Sequence, residues 1–143
     1  MNTPEALHVV FNNNFVAYYR SHVAHVNIMG RNFQSDHALL KGIYEDLQDQ
    51  IDILAELLRT LNDFMPSEIQ FVLNESTIPT TMFEGDSIDL LSGVRDDMVT
   101  LKSFYEELML QADADGLQEI ANYAQDRILA LAKHIWMLES TLS

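Results

Sequence analysis

The sequence predicts an all-α chain: four long helices in one bundle, joined by two short turns and one long crossover. Three observations predict it. Apolar residues recur in steps of three and four along four segments. Glycine-centred breaks of a few residues separate the first segment from the second and the third from the fourth. About 25 residues with two prolines, Asp63 to Asp86, separate the middle two. The 143 residues are 48% hydrophobic with only 5 Gly and 3 Pro, which suits a single folded domain over residues 1–143.

The first helix is expected from about Thr3 to Met29, with Phe11, Phe15, Tyr18, His22, His25 and Met29 on one face. Gly30 stops it, and Asn32 is placed to cap the second helix. That helix runs from Phe33 to Asn62 with Leu40, Ile43, Leu47, Ile51, Leu54, Leu58 and Leu61 as its apolar stripe. Within the crossover, "PSEIQFVL" has the length of one short helix. The third long helix spans Asp86 to Gln111, turning Val94, Met98, Leu101, Tyr105 and Leu108 inward. "ADADG" then turns the chain into the fourth, Asp115 to Leu142, with Leu117, Ile120, Ala124, Ile128, Leu131, Ile135 and Leu138 inward. Two antiparallel hairpins joined by one crossover make the ferritin-like arrangement of a four-helix bundle.

Composition removes several function classes. No cysteine is present, so disulfides and thiolate metal sites are excluded, and a metal would be held by imidazole and carboxylate. Asp and Glu number 22 against 8 scattered Lys and Arg, a net charge of −14. Phosphate backbones require clustered cations, so DNA binding is disfavoured. No apolar run is long enough to span a membrane and no leader opens the chain, which reads as cytoplasmic.

The chemistry concentrates in "SHVAHVNIMGRNFQSDH", which sets His22, His25 and His37 around one glycine turn. His25 near the end of the first helix and His37 near the start of the second fold side by side. Asp52 and Glu56 share a face of the second helix, four residues apart. Asp52 lies 15 positions beyond His37, roughly 22 Å along the axis, so one chain cannot join them. Two antiparallel copies of the second helix, crossing near Tyr44–Glu45, can, and the twofold makes two equivalent sites.

The stretch from His25 to Arg59 resembles the signature of the Dps family of miniferritins. The match rests on His25, Asn27, Gly30, Phe33, His37, Tyr44, Asp52, Ala55 and Glu56, and "DRILALAKHIWMLES" is similar to that family's last helix. The resemblance implies a homo-oligomeric shell of twelve subunits with metal sites at twofold interfaces. It also implies oxidation of Fe(II) with peroxide or dioxygen, storage of ferric mineral and protection from oxidative damage. His25 and His37 of one subunit, with Asp52 and Glu56 of its partner, would be both the catalytic and the metal-binding set for Fe, with Zn as a substitute. Two departures stand out. Lys41 occupies the position where the family usually has an aspartate that helps hold a second iron, and Val26 replaces a common tryptophan. Lys41 therefore sets up an alternative, a shell that binds metal but oxidises it weakly. A structural, DNA-compacting protein is the disfavoured third reading, since no basic tail is present.

Other residues have plainer readings. His22 is expected as a hydrogen-bonded neighbour of the site and His134 as structural. Lys41 can pair with Glu45 one turn on. Glu5–His8 has the Glu-x-x-His spacing of larger di-iron bundles but sits at a helix start. Asp113, Asp115 and Glu119 suit either an acidic pore for iron uptake or helix capping. The methionines read as core filler.

Overall fold

The computed structural model describes residues 1–81 and 84–143 and contains α1 (Thr3–Asn27), α2 (Phe33–Thr60), α3 (Ile69–Glu75), α4 (Ser87–Ala114) and α5 (Gln118–Leu142). No strand occurs among the described residues. The α1–α2 and α4–α5 hairpins pack together through α1 and α4, and α3 lies against α1. The expected crossover helix forms, shifted from 66–73 to Ile69–Glu75.

Local chemistry fixes each boundary. Asn2 caps α1 by accepting the Glu5 amide at 3.0 Å, and Pro4 sits in the first turn, where its missing N–H costs nothing. Asp86 and Asp89 form a reciprocal capping box at the start of α4. Gly85 precedes it with φ +126°, and a Cβ there would fall 2.1 Å from the Asp89 carboxylate. Both α2 and α4 end in a Schellman motif. Asn62, at φ +59°, supplies the left-handed residue for the first, with Asp63 N–H donating to the Leu58 carbonyl at 3.0 Å. Gly116 supplies it for the second, with Leu117 N–H donating to Ala112 at 2.8 Å. That second motif uses three residues beyond Gln111, so α4 runs to Ala114 and α5 starts at Gln118 rather than Asp115.

The expected stripes form the core: Leu40, Ile43, Leu47, Leu54 and Leu58 from α2, and Val94, Met98, Leu101, Tyr105 and Leu108 from α4 are buried. Each such side chain contributes about 1.5–3 kcal/mol on leaving water. α1 departs from a one-faced helix. It touches α2, α3 and α4, so Asn12, Asn13, Asn14 and Ser21 are buried with its apolar residues. Asn13 explains one of them, since its Oδ1 accepts from the Thr77 and Ile78 amides at 2.9 Å each and from Ser76 Oγ at 3.2 Å. It thereby pins the crossover to the bundle.

Three expectations are corrected. Met29 lies past the end of α1 and is exposed, while Ile28 takes the buried place. Asn32 stands at the cap position of α2, but its side chain makes no capping bond. Among the methionines, Met98 fills the core, whereas Met1, Met29, Met65 and Met137 are exposed.

Candidate metal centre

The glycine turn brings His25 and His37 into contact, with ring centroids 3.7 Å apart and planes within 16°. Their hydrogen bonds cross: His25 Nδ1–H donates to the His37 carbonyl, and His37 Nδ1–H donates to the His25 carbonyl, each at 2.7 Å. The His25 carbonyl is free for this because it lies in the last turn of α1, where no amide four residues on closes the helix ladder. A neutral imidazole that donates from Nδ1 carries its lone pair on Nε2. Both rings are thus held in one tautomer and in register, with Nε2 as the available ligating atom. His25 is buried, and burial is the main cause lowering its pKa. The hydrogen bond to His37 opposes that shift, and the charges of His37, His22 and Lys41 add to it. The neutral form is the one that binds a metal.

An aromatic wall backs the pair. Tyr44 stacks on His22 at 3.9 Å and touches the His25 ring at 5.0 Å. Phe33 stacks on the far side of His37 at 4.8 Å. Tyr18 Oη meets His22 Nδ1 at 3.0 Å, so His22 is a hydrogen-bonded neighbour, as its position predicts.

Asp52 and Glu56 are exposed on α2. Contact with Asp52 and repulsion from its charge are the main causes that raise the Glu56 pKa. The pair is a concentration of negative charge for which a cation is the natural complement. The chain keeps it away from the histidines: no group of three His, Asp or Glu able to hold a metal forms among the described residues. Lys41 pairs with Glu45 at 3.7 Å, as its spacing allows, and is 60% exposed.

The other candidates resolve toward structure. His134 donates to Asp46 at 2.8 Å, and Arg127 chelates the same carboxylate at 2.9 and 2.8 Å. Tyr123 donates to Gln50 at 2.7 Å beside them. Burial disfavours an ionised Asp46, yet the hydrogen bonds and charges of His134 and Arg127 outweigh it and hold the carboxyl well below the usual range. This α2–α5 lock was missed in the sequence, where Asp46 and Arg127 stand 81 residues apart and no spacing links them. His8 pairs with Asp63 at 2.9 Å, not with Glu5. Asp115 accepts from Thr3 N–H at 3.0 Å and Thr3 Oγ1–H at 2.6 Å, which ties the start of α1 to the α4–α5 turn. Asp113 and Glu119 are exposed.

Comparison with known proteins agrees with this architecture. The ferritin-like domain profile matches residues 4–143. The DNA protection during starvation protein of Helicobacter pylori strain J99 is 28% identical over 144 residues, covering all of both chains. The protein of the same name from Brevibacillus brevis is 27% identical over 127 residues, 89% of this chain and 85% of that one. Among solved structures, the Dps protein of Vibrio cholerae O1, described as a member of a broad superfamily of ferritin-like diiron-carboxylate proteins, superposes with TM-score 0.93. It is 28% identical and covers 99% of this chain and 89% of that one.

Proposed function

The chain belongs to the ferritin-like domain family, where its relatives are Dps proteins, and from that membership we propose that it is a miniferritin with Fe(II) as its substrate. In this reading, copies of the chain close into a homo-oligomeric shell, of twelve subunits by the sequence resemblance. Fe(II) binds at twofold interfaces between His25 and His37 of one copy and Asp52 and Glu56 of the next. Two Fe(II) give one electron each to hydrogen peroxide, which takes two protons and leaves as water; dioxygen is the alternative oxidant. The Fe(III) then moves inward to mineralise. Removing Fe(II) and peroxide together protects the cell, and the reading places the protein in the cytoplasm.

The observation that carries the proposal is the crossed pair of hydrogen bonds between His25 and His37. A buried histidine kept for packing needs one satisfied nitrogen and no particular tautomer. Two stacked rings, each with Nδ1 tied to the other's carbonyl, leave two Nε2 lone pairs side by side, the arrangement in which second-shell bonds orient metal-binding imidazoles. The charge-crowded Asp52–Glu56 pair supplies the complementary hard, anionic donors. Anomalous scattering from crystals soaked in Fe(II), or in Zn as its redox-inert substitute, tests this directly. A peak between His25 and His37 and a neighbouring copy's carboxylates is expected, and its absence with metal bound elsewhere would refute the reading.

Lys41 favours a second reading within the same fold, a shell that holds one metal per site and oxidises it slowly. Its charge is close enough to be felt at His25. The stoichiometry of Fe(II) per site separates the two.

A further inference from the structure

A second polar feature lies one residue from His37 but about 100° round the helix, on a different face. Asp36 is only 5% exposed, yet among the described residues its carboxylate accepts no hydrogen bond and forms no ion pair. It lines a cleft of about 340 Å3 between the start of α2 and the end of α5, with Ser35, Leu39, Trp136, Met137, Ser140 and Thr141. An acidic residue in the first turn of a helix is favourable where it stands in water. Most of Asp36 is covered, but its carboxylate oxygens are not sealed from solvent, so what satisfies them comes from water or from a molecule in the cleft.

The chemistry of the lining selects what would satisfy it. Ser35 Oγ–H donates back to the Asn32 carbonyl at 3.1 Å, and Thr141 Oγ1–H donates to the Met137 carbonyl at 2.8 Å. Their remaining capacity is lone pairs. The cleft thus presents a carboxylate and hydroxyl lone pairs, with the Ser140 hydroxyl and the Trp136 indole N–H as uncharged donors and no cation or side-chain amide, beside the apolar walls of Leu39 and Met137. A bare transition-metal ion fits poorly, because no three His, Asp or Glu converge among the described residues and the space far exceeds an ion. A donor-rich head on an alkyl stem fits each part: head to Asp36 and the hydroxyls, methylenes to Leu39 and Met137, positive charge near Trp136.

We propose that the cleft between the start of α2 and the end of α5 is a binding site for an alkyl ammonium or guanidinium group, anchored by Asp36. Such a group has two sources, a free aliphatic polyamine or a basic side chain of another copy of this chain. Arg31 and Lys133 are the two cations without an ionic or hydrogen-bonded partner among the described residues, and Lys133 is exposed on α5 one turn before Trp136. The apolar face exposed beside it, Leu129 and Trp136, gives another copy something to cover.

The assembled protein is titrated with putrescine and with spermidine by calorimetry, and its size is followed by light scattering on dilution. Asp36→Asn keeps the shape and removes the charge. Asp126→Asn, an exposed position on α5, controls for general attraction to an acidic surface. If the source is free polyamine, the unmodified protein binds at a saturable site, Asp36→Asn binds at least tenfold more weakly, and Asp126→Asn is unchanged. Trp136→Ala, which alters an exposed side chain, weakens binding severalfold. If the source is another copy, polyamine uptake is absent and both Asp36→Asn and Lys133→Gln or Arg31→Gln raise the concentration at which the oligomer dissociates. Polyamine binding that is equal in Asp36→Asn and the unmodified protein, or absent, together with unchanged dissociation, overturns the proposal.

Discussion

Lys41 is the residue on which this protein's iron chemistry should turn. It lies one turn beyond His37, about 6 Å along the helix axis. Its ammonium is 60% exposed, so its field is screened by water. A unit charge and a doubly charged ion about 6 Å apart in water repel by roughly 1.4 kcal/mol, about tenfold in affinity. Lys41→Gln removes that repulsion, and Lys41→Asp replaces it with an attraction of the same size. The double change should tighten a second Fe(II) by roughly 3 kcal/mol, on the order of a hundredfold, and direct ligation by the new carboxylate would add to it. The salt bridge lost to Glu45 is an exposed pair at 3.7 Å, worth well under about 1 kcal/mol, so the fold is not at risk. Anaerobic calorimetry counts Fe(II) per site, and stopped-flow absorbance follows ferric product after peroxide is added. One tight Fe(II) per site with slow oxidation is expected for the unmodified chain, with a second Fe(II) and faster oxidation for Lys41→Asp. Glu56→Ala should abolish tight binding in both backgrounds. Two tight Fe(II) per site with fast oxidation in the unmodified chain would show that the Lys41 charge does not reach the second position.

Three further outcomes are expected. Light scattering after size exclusion should report a closed oligomer of about twelve chains; a persistent monomer would leave Asp52 and Glu56 without their histidines. Duplex DNA at about 50 mM salt should not be retained, because −14 per chain and scattered cations release no counterions, and a salt-sensitive gel shift would contradict this. Asp46→Ala should cost about 3–5 kcal/mol, read by thermal unfolding, since it strands the buried Arg127 guanidinium. The pH dependence follows from the sign of the Asp46 shift. Its folded pKa is depressed, so its contribution is complete above the unfolded value of about 4 and is lost as pH falls below that toward the folded one. The Asp46→Ala chain should lack this acid-sensitive part.

The elements most legible in the sequence were those governed by a single local rule. A stripe such as Leu40–Ile43–Leu47 needs only a helix and a core, and all three are buried as expected. Gly30 and Gly116 mark turns because a positive φ is one that glycine adopts at little cost. What stayed hidden depends on partners distant in sequence. Asn13 looks like one of three surface amides until the crossover amides of Thr77 and Ile78 arrive, 64 and 65 residues on. Asp46 and Arg127 are separated by 81 residues and carry no spacing signature. For the candidate site, the sequence brought His25 to His37 through the turn, but the crossed Nδ1–carbonyl bonds depend on where α1 loses its helical ladder. The Asp52–Glu56 pair was legible as a shared face, and its distance from the histidines followed from helix rise alone.

A metal site divided between copies, as proposed, has a thermodynamic consequence. Neither half holds three ligands, so the affinity of a bound ion belongs to the interface, and metal binding and assembly are linked. An ion at a hundredfold excess over its Kd contributes about 2.7 kcal/mol to the state that binds it. Two symmetric sites at each proposed twofold interface would make that roughly 5 kcal/mol per pair of copies. Without the ion, Asp52 and Glu56 crowd one another, as the raised Glu56 pKa reflects, and association of two chains of net charge −14 must proceed against repulsion. Chelator should therefore lower the stability of the oligomer, moving its dissociation on dilution to higher protein concentration by orders of magnitude. Adding Zn, which cannot be oxidised, should reverse the shift. In Glu56→Ala the dissociation should no longer respond to chelator. Equal dissociation curves for the unmodified chain with Zn and with chelator would show that the ion does not bridge copies, and would remove the intersubunit site from the proposal.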